Sequence, residues 1–303
     1  MKSDSLDDRM KLYEKSLDLD LMPLLPIVAR LDGKAFHTFT KGMERPFCKS
    51  LHDLMVETTK YLVDETNAQC GYTQSDEITL TWHLEEWKSE VFFGGRVAKM
   101  TSILAAMATG FFNQKMPQFL PEKWKKEILA LFDARVWNVP NRAEGVNCFV
   151  WREQDATRNS IQMAGQAKFS HKQLQGKSCN EIQEMLWAEH NINWNDYPAC
   201  QKRGTYIQKQ RVERPFTAEE IDKLPEKHAA RQNPDLMVSR KEIKRLEIPP
   251  FAKVNNREEV IYDGAVWTID HPEDEACGYV WRINEKYLIP GENQFNWQRY
   301  ADG

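Results

Sequence analysis

Leu24-Leu-Pro-Ile-Val-Ala-Arg-Leu-Asp32-Gly33 and, further along the chain, Gly71-Tyr-Thr-Gln-Ser-Asp76-Glu77-Ile-Thr-Leu-Thr-Trp82 decide how this sequence folds. The first is an apolar, β-branched run that ends in Asp-Gly, which reads as a buried strand stopped by a turn. The second alternates and is β-rich in its later half, and its polar Gln-Ser-Asp-Glu suits a tight hairpin. Between them, Cys48 to Glu65 places Leu51, Met55, Thr58 and Leu62 on one face, with Leu54 and Tyr61 alongside. That spacing predicts an amphipathic helix laid over a sheet. Beyond the hairpin, Gly95 to Phe112 repeats the pattern with Val97, Met100, Thr101, Leu104, Ala108 and Phe111, and Leu129 to Val139 holds the strand candidate Phe132-Asp-Ala-Arg-Val-Trp137. Strand, helix, hairpin, helix, strand is the β-α-β-β-α-β order of a ferredoxin-like α+β sheet, and it predicts Asp32 and Asp76 on adjacent strand ends.

Outward from this block the signals thin. The N-terminal segment is polar and acidic, with a helix predicted over Met10–Leu17, and resembles neither a signal nor a transit peptide. From Asn147 to about Ile207 the pattern is mainly helical, with Ser178-Cys-Asn-Glu181 as a capping box. Residues 208–247 are charged and punctuated by proline, which reads as a linker or a solvated helix pair. The tail returns to strand-like pieces, Ala265-Val-Trp-Thr-Ile and Gly278-Tyr-Val-Trp-Arg.

Composition excludes several classes. With 41% hydrophobic and 28% charged residues over 303 positions, the chain suits a globular protein with a substantial core. No apolar run approaches the roughly 20 residues a bilayer span needs, so no membrane role and a cytoplasmic location are expected. The net charge of −4 gives no global attraction for nucleic acid, so an RNA site must be a local basic patch. The six cysteines (Cys48, Cys70, Cys148, Cys179, Cys200 and Cys277) form no CxxC pair, and the seven histidines form no close metal-ligand pair. Reduced thiols are expected, with neither a zinc finger nor a disulfide framework.

Asp32-Gly33 and Ser75-Asp76-Glu77 are the residues best suited to chemistry. Two carboxylates on adjoining strands, with a backbone carbonyl beside one, suit a pair of Mg²⁺ ions about 3.5–4 Å apart. The alternative is that Asp32 only ends a strand and Asp76-Glu77 only makes a turn. Arg96 and Lys99 share a helix face and suit phosphates near a helix start, or else form a solvated face. Lys34 and His37 follow Asp32-Gly33 closely enough to sit over a nucleotide, although a lone histidine at a strand end also serves structure.

The motifs carry a resemblance. Arg30-Leu-Asp32-Gly33-Lys34-Ala-Phe36-His37-Thr-Phe39, Gln74-Ser75-Asp76-Glu77, Arg96-Val-Ala-Lys99 and Phe132-Asp133-Ala-Arg135-Val136 resemble, in order, motifs of the tRNA(His) guanylyltransferases and related 3′–5′ polymerases. So do Phe149-Val-Trp151-Arg152-Glu-Gln-Asp155 and the segment from Asn191-Ile-Asn193-Trp-Asn195 to Lys202-Arg203-Gly204-Thr205. The resemblance implies a polymerase-like palm domain over 1–140, a helical region over 141–207, and an unmatched extension of unknown role over 208–303. It implies a nucleotidyltransferase that extends the 5′ end of tRNA or related RNA after ATP-dependent activation, with ATP, GTP or other nucleoside triphosphates as substrates. By the same resemblance, Asp32, the Gly33 carbonyl and Asp76 hold two Mg²⁺ ions, with Glu77 supporting the catalytic site. Lys34, Ala35, Phe36, His37 and Ser75 line the nucleotide, and Arg96, Lys99, Ser102 and Arg135 meet phosphates. Arg158, Asn159, Lys202 and Arg203 face RNA, and the chain forms a homotetramer.

One stretch departs from the family pattern. Members that add a single guanylate carry H-I-N-N-L-Y-N where this chain has Thr157-Arg158-Asn159-Ser160-Ile161-Gln162-Met163. The departure points to the branch that repairs truncated 5′ ends by templated addition. Two other readings share the carboxylate pair or the fold: a palm-type nucleotidyl cyclase or dinucleotide synthase, which needs no RNA, and a non-catalytic RNA-binding module.

Overall fold

The computed structural model describes residues 5–16, 18–233 and 235–269. Its centre is one antiparallel six-stranded sheet, with helices packed on both faces. Strands β1 (Ile27–Gly33), β2 (Cys70–Gln74), β3 (Glu77–Trp82), β4 (Phe132–Asn138), β5 (Thr205–Pro215) and β6 (Met237–Leu246) lie in the order β4-β1-β3-β2-β5-β6. The main helices are α1 (Leu6–Lys15), α2 (Lys49–Thr66), α3 (Val97–Phe119), α4 (Arg142–Gln166) and α5 (Cys179–His190). The predicted order of strand, helix, hairpin, helix and strand is therefore present over residues 27–138, with ends displaced by a few residues. Helix α1 starts earlier than its periodicity suggested and buries none of its residues.

Each face of the sheet has its own core. On one side α2 and α3 bury Leu54, Met55, Leu62, Met100 and Leu104 against Ala29, Leu31 and Ile78, all without solvent exposure. Each of the buried Leu, Ile and Met side chains contributes about 1.5–3 kcal/mol. On the other side α4 lays Val146 and Phe149 against Cys70, Tyr72 and Tyr206, and the chain beyond residue 250 completes the layer with Phe251, Val254, Val260, Ile261 and Tyr262. Gly145 is needed here, because a Cβ at that position would lie 1.9 Å from the Tyr262 hydroxyl. A third cluster, built from Ile161 and Ala164 of α4 with Ile182 and Leu186 of α5, is closed by Trp194. The Ser178 capping box at the start of α5 is present.

The reading of residues 208–247 as a linker or helix pair is corrected. The two ends of this stretch belong to β5 and β6, a long two-stranded ribbon whose base joins the sheet through β2. Alternating charged side chains hid the strands, because both ribbon faces leave the core and face water. Short helices at Ala218–Lys223 and Ala229–Gln232 connect them. Residues 265–269 form no strand; Asn256 instead bonds both the backbone N–H and the hydroxyl of Thr268. The strand-like piece at 278–282 and Cys277 lie outside the described residues. The five described cysteines are free thiols, and no helix among the described residues is long and apolar enough to cross a membrane.

Register fixes two distinct ends. Gly33 pairs with Phe132 and Asp32 with Glu77 at one end, while Ile27 pairs with Asn138 and Trp82 at the other. Because β3 runs away from the Asp32 end, α3 starts at the opposite end and returns. Its Thr109 hydroxyl accepts the Phe132 N–H and its Asn113 bonds Ala130, both at the Asp32 end.

Candidate active site

Alternation along β1 sends Ile27, Ala29 and Leu31 into the α2–α3 core and Arg30 and Asp32 to the α4 face. On that face Asp32 stands directly opposite Glu77 of β3 and Asp133 of β4, a row of three carboxylates across adjacent strands. Asp76 occupies the two-residue turn between β2 and β3, where Ser75 adopts a left-handed φ of 55°. The Gly33 N–H donates to the Asp76 carbonyl at 3.0 Å, and the Ser75 hydroxyl donates to Asp76 Oδ1 at 2.9 Å. These bonds lock the ends of β1 and of the hairpin together. Glycine is required at 33 because a Cβ there would lie 2.3 Å from the Phe36 ring.

Burial pushes the Asp76 carboxyl upward, the Ser75 hydrogen bond opposes this, and the negative Asp32 adds to it. Burial also raises Glu77, against the nearby cations Arg152 and Arg30. Arg152 of α4 grips Glu77 with two bonds, Nε at 2.5 Å and Nη2 at 2.8 Å, and reaches Asp155 at 3.0 Å. Its guanidinium lies 4.5 Å from the half-exposed Trp151 ring, with Arg30 at 5.7 Å from the same ring. The Arg30 Nε is buried and makes no hydrogen bond among the described residues, its nearest acid oxygen being on Glu77 at 4.0 Å.

These groups open on a cleft of about 360 Å³ lined by Asp32, Gln74, Ser75, Asp76, Glu77 and Arg152, with Asn159, Gln162, Met163 and Gln166 along α4. Sequence reasoning missed Arg152, Gln162, Met163 and Gln166 as site residues, although a signal existed. Positions 152, 155, 159, 162 and 166 recur at helical spacing and are all polar, so they form one hydrophilic stripe. Asp133 was also unassigned, since its place beside Asp32 depends on the β1–β4 register.

This geometry can be set beside known proteins. The family model described as tRNAHis guanylyltransferase matches residues 7–140. A solved bacterial tRNA(His) guanylyltransferase (Thg1)-like protein in complex with ATP is 42% identical, with a TM-score of 0.64, covering 68% of this chain and 89% of that one. The chain belongs to the tRNA(His) guanylyltransferase family. A second such bacterial structure, in complex with GTP, is 32% identical at a TM-score of 0.64 and covers 86% of this chain and all of that one. An uncharacterised protein of Acanthamoeba polyphaga mimivirus is 30% identical over 69% of this chain and 79% of its own length. The tRNA(His) guanylyltransferase of Saccharomyces cerevisiae is 28% identical over 62% of this chain and 84% of its own. As a member of this guanylyltransferase family, the chain is a nucleotidyltransferase.

The remaining residues singled out from the sequence are scattered relative to the cleft. Lys34, Ala35 and His37 are exposed beside the carboxylate turn, with Ala35 in a left-handed conformation and the His37 ring 3.0 Å from the Thr38 hydroxyl. The Phe36 ring is buried against Phe39, Phe112 and Phe132 and supports Gly33 from below, so only its backbone is placed beside the carboxylate turn. Arg96, Lys99 and Ser102 lie away from the cleft of their own chain. They are exposed at the start of α3, and the helix between Arg96 and Thr109 spans about 20 Å, so they stand at the sheet end opposite Asp32. Spacing gave their shared face; only topology gives the end at which the helix begins.

Arg135 lies on the carboxylate face, opposite Arg30 and 3.3 Å from Asp133. Asn159 lines the cleft, whereas Arg158 points outward and pairs with Asp155 at 2.6 Å. The expected RNA contact of Lys202 is corrected, because this lysine is buried. Its ammonium donates to the Asn195 carbonyl and sits 5.2 Å from the Trp194 ring, and burial pushes it down to about 8. Arg203 is half-buried, and its carbonyl accepts the Tyr72 hydroxyl at 2.7 Å.

Proposed function

We propose that this chain adds nucleotides to the 5′ end of tRNA or related structured RNA in the 3′–5′ direction, after ATP has activated that end. The observation that carries the reading is the Asp32–Asp76 pair, held by the Gly33–Asp76 hydrogen bond at the floor of a polar cleft. The four strands in the order β4-β1-β3-β2 with two crossing helices support a ferredoxin-like, palm-type catalytic unit over 1–140. The helical region 141–207 would supply the cleft wall, and the extension from 208 shares its first strand with the catalytic sheet.

The donor set fits Mg²⁺. Among the described residues no group of three or more Asp, Glu, His or Cys side chains is arranged to hold a metal alone. Mg²⁺ needs only one or two carboxylates and completes its shell with water and phosphate oxygens, so Asp32 and Asp76 suffice as its protein carboxylates. Asp32, the Gly33 carbonyl and Asp76 would hold two such ions; bound there, they neutralise triphosphate charge and make a hydroxyl more acidic. The chain's own part is positional. Arg152 immobilises Glu77 beside the pair, Ser75 orients Asp76, and Trp151 with Arg30 offers an aromatic and cationic edge for a base and its phosphate.

In the reaction, the RNA 5′-phosphate oxygen attacks the α-phosphorus of ATP and pyrophosphate leaves, giving an adenylylated end. The 3′-hydroxyl of the incoming nucleoside triphosphate then attacks the RNA 5′ phosphorus, forms the new phosphodiester and displaces AMP. Pyrophosphate is last removed from the new end. The altered Thr157–Met163 stretch lines this cleft with Asn159, Gln162 and Met163, which supports selection by base pairing across the stem over a fixed guanylate. We place the activity in the cytoplasm and in a homotetramer, where Arg96, Lys99 and Ser102 would meet only a substrate held by another copy. The test is incubation with 5′-monophosphorylated tRNAs whose opposing nucleotide is varied, with labelled ATP and GTP and Mg²⁺, followed by mapping of the 5′ ends. RNA-dependent addition complementary to the opposing base is expected. Nucleotide turnover without RNA would replace the reading with a cyclase or dinucleotide synthase.

A further inference from the structure

The two faces of the β5–β6 ribbon treat their cations differently. On the face that continues the α4 side, Arg214 bonds Glu220 and Glu242, and Arg240 pairs with Glu220 and lies over the Phe216 ring. On the face that continues the α2–α3 side, Ile207 and Ile243 anchor the base in the core, and Lys209 is bound by Asp64 at 2.9 Å and by Asn67 at 3.0 Å. One step further out on that same face, Arg211 stands directly opposite Lys241. Both are exposed, and neither has an ion pair or hydrogen bond among the described residues. Like charges placed directly across a strand pair have Cβ atoms about 5 Å apart and disfavour the fold. Glu213 lies one row beyond on the same face, at the register position opposite Ser239.

From this arrangement we infer that Arg211 and Lys241, with Arg245 two rows nearer the sheet, form a docking face for the phosphate backbone of the RNA substrate, away from its reacting end. The inference rests on the function proposed above. Charge complementarity identifies the occupant: cations recur on this face at row spacings of about 7 Å, and an extended polyanion can bridge them where a single small anion cannot. From Thr205, level with the carboxylate turn, to Arg211 the strand runs about 20 Å. A nucleotide in the cleft does not reach the ribbon, whereas a structured RNA does. Such contacts position without reading sequence.

The full chain carrying Arg211→Gln and Lys241→Gln together tests this, by fluorescence anisotropy with a 5′-monophosphorylated tRNA over a range of salt, beside ATP and GTP binding and a melting curve. The expected result is an RNA affinity about tenfold weaker and a log–log salt slope shallower by one to two, since two phosphate contacts are lost. Triphosphate binding stays unchanged, and the melting temperature holds or rises as the repulsion is removed. Unchanged RNA affinity and slope, in a preparation whose wild type binds and extends RNA, overturns the docking face alone. A lower melting temperature together with weaker binding assigns the pair a folding role and overturns it as well. A wild type that neither binds nor extends RNA defeats the proposed function itself.

Discussion

Asp32, Asp76, Glu77 and Asp133 crowd one end of the sheet, while Arg96, Lys99, Arg211 and Lys241 stand exposed at the other. The acid end is compact and partly dry: burial raises Asp76 and Glu77, and Arg152 makes two bonds to Glu77 and a third to Asp155. The cationic end is open, spread over the start of a helix and an exposed ribbon. Arg152, Arg30 and Arg135 offset the charge of Glu77 and Asp133, but Asp32 and Asp76 have no cationic partner among the described residues, and Arg211 and Lys241 have no acidic one, which suits sites completed by ligands of opposite charge. The acids suit small divalent cations and the triphosphate they carry; the cations suit a long polyanion. A chain with a net charge of −4 can attract RNA only by such separation.

The largest effect expected from breaking this contrast is at the acid end. Asp76→Ala or Asp32→Ala should lower 5′ addition at least ~10³-fold, about 4 kcal/mol of transition-state stabilisation. The melting temperature should hold or rise, because a carboxylate that burial disfavours has been removed. Single-turnover addition beside a melting curve checks both. Near wild-type turnover of Asp76→Ala would leave the carboxylate row with a purely structural meaning.

The acid end also carries one base that the fold keeps neutral. His52 of α2 faces the Thr205 hydroxyl at 3.2 Å, and burial, with the Arg245 cation nearby, pushes it from the ordinary 6.5 down to about 4. Between those values the unfolded chain binds a proton that the folded chain refuses, so stability rises with pH over this window and is complete above 6.5. Acidification to pH 4 should remove about 3 kcal/mol through this residue. His52→Gln keeps a partner for Thr205 and does not titrate, so denaturant unfolding at pH 7 and pH 4.5 should show a flatter dependence than wild type. Equal slopes would mean that His52 is not held neutral.

The legibility of the two ends differs for a physical reason. The acid end is made by residues adjacent in sequence, a strand ending in Asp-Gly and a hairpin turn, so short-range pattern located Asp32, Gly33, Ser75, Asp76 and Glu77 together. The α2–α3 core was equally readable, since its helices bury a single apolar stripe. The other face was not. Its core draws Phe251, Val260 and Tyr262 from a tail that periodicity read as loose strands, and its ribbon has no buried face to betray it. Lys202 looked like a surface cation and proved to be a buried one, bound by Asn195 and Trp194. Spacing gave Arg96 and Lys99 a shared helix face, and the resemblance assigned them to phosphates; neither reports the end of the sheet at which the helix begins. The strand order already implied the answer, because a helix that follows β3 must begin where β3 finishes.

A smaller effect sharpens the role of the α4 stripe. Arg152→Lys keeps the charge but cannot form the two parallel bonds to Glu77, a loss of about 1–2 kcal/mol. Turnover should fall roughly tenfold with little change in KM for the triphosphate or in melting temperature. An altered KM with intact turnover would move Arg152 from holding Glu77 to binding substrate.

The smallest expected effect is at Lys99, and it is the one that can break the comparison outright. The Lys99 ammonium stands near the start of α3, most of a 20 Å helix path from the carboxylate turn. At physiological salt an exposed charge is screened beyond about 8 Å, so it contributes little to a triphosphate bound in its own chain's cleft. Lys99→Met, which keeps the stem and removes the charge, should leave triphosphate KM and turnover within about threefold, under ~1 kcal/mol. A sharp loss would show that the cationic end of one copy completes the acid end of another. Mixing then separates the two accounts. Lys99→Met and Asp76→Ala chains combined in one assembly should regain activity that neither has alone if the ends act across subunits, because some clefts would pair an intact Asp76 with an intact Lys99. If the loss persists in the mixture, Lys99 acts within its own chain, and the separation of the two ends seen along α3 does not describe the working enzyme.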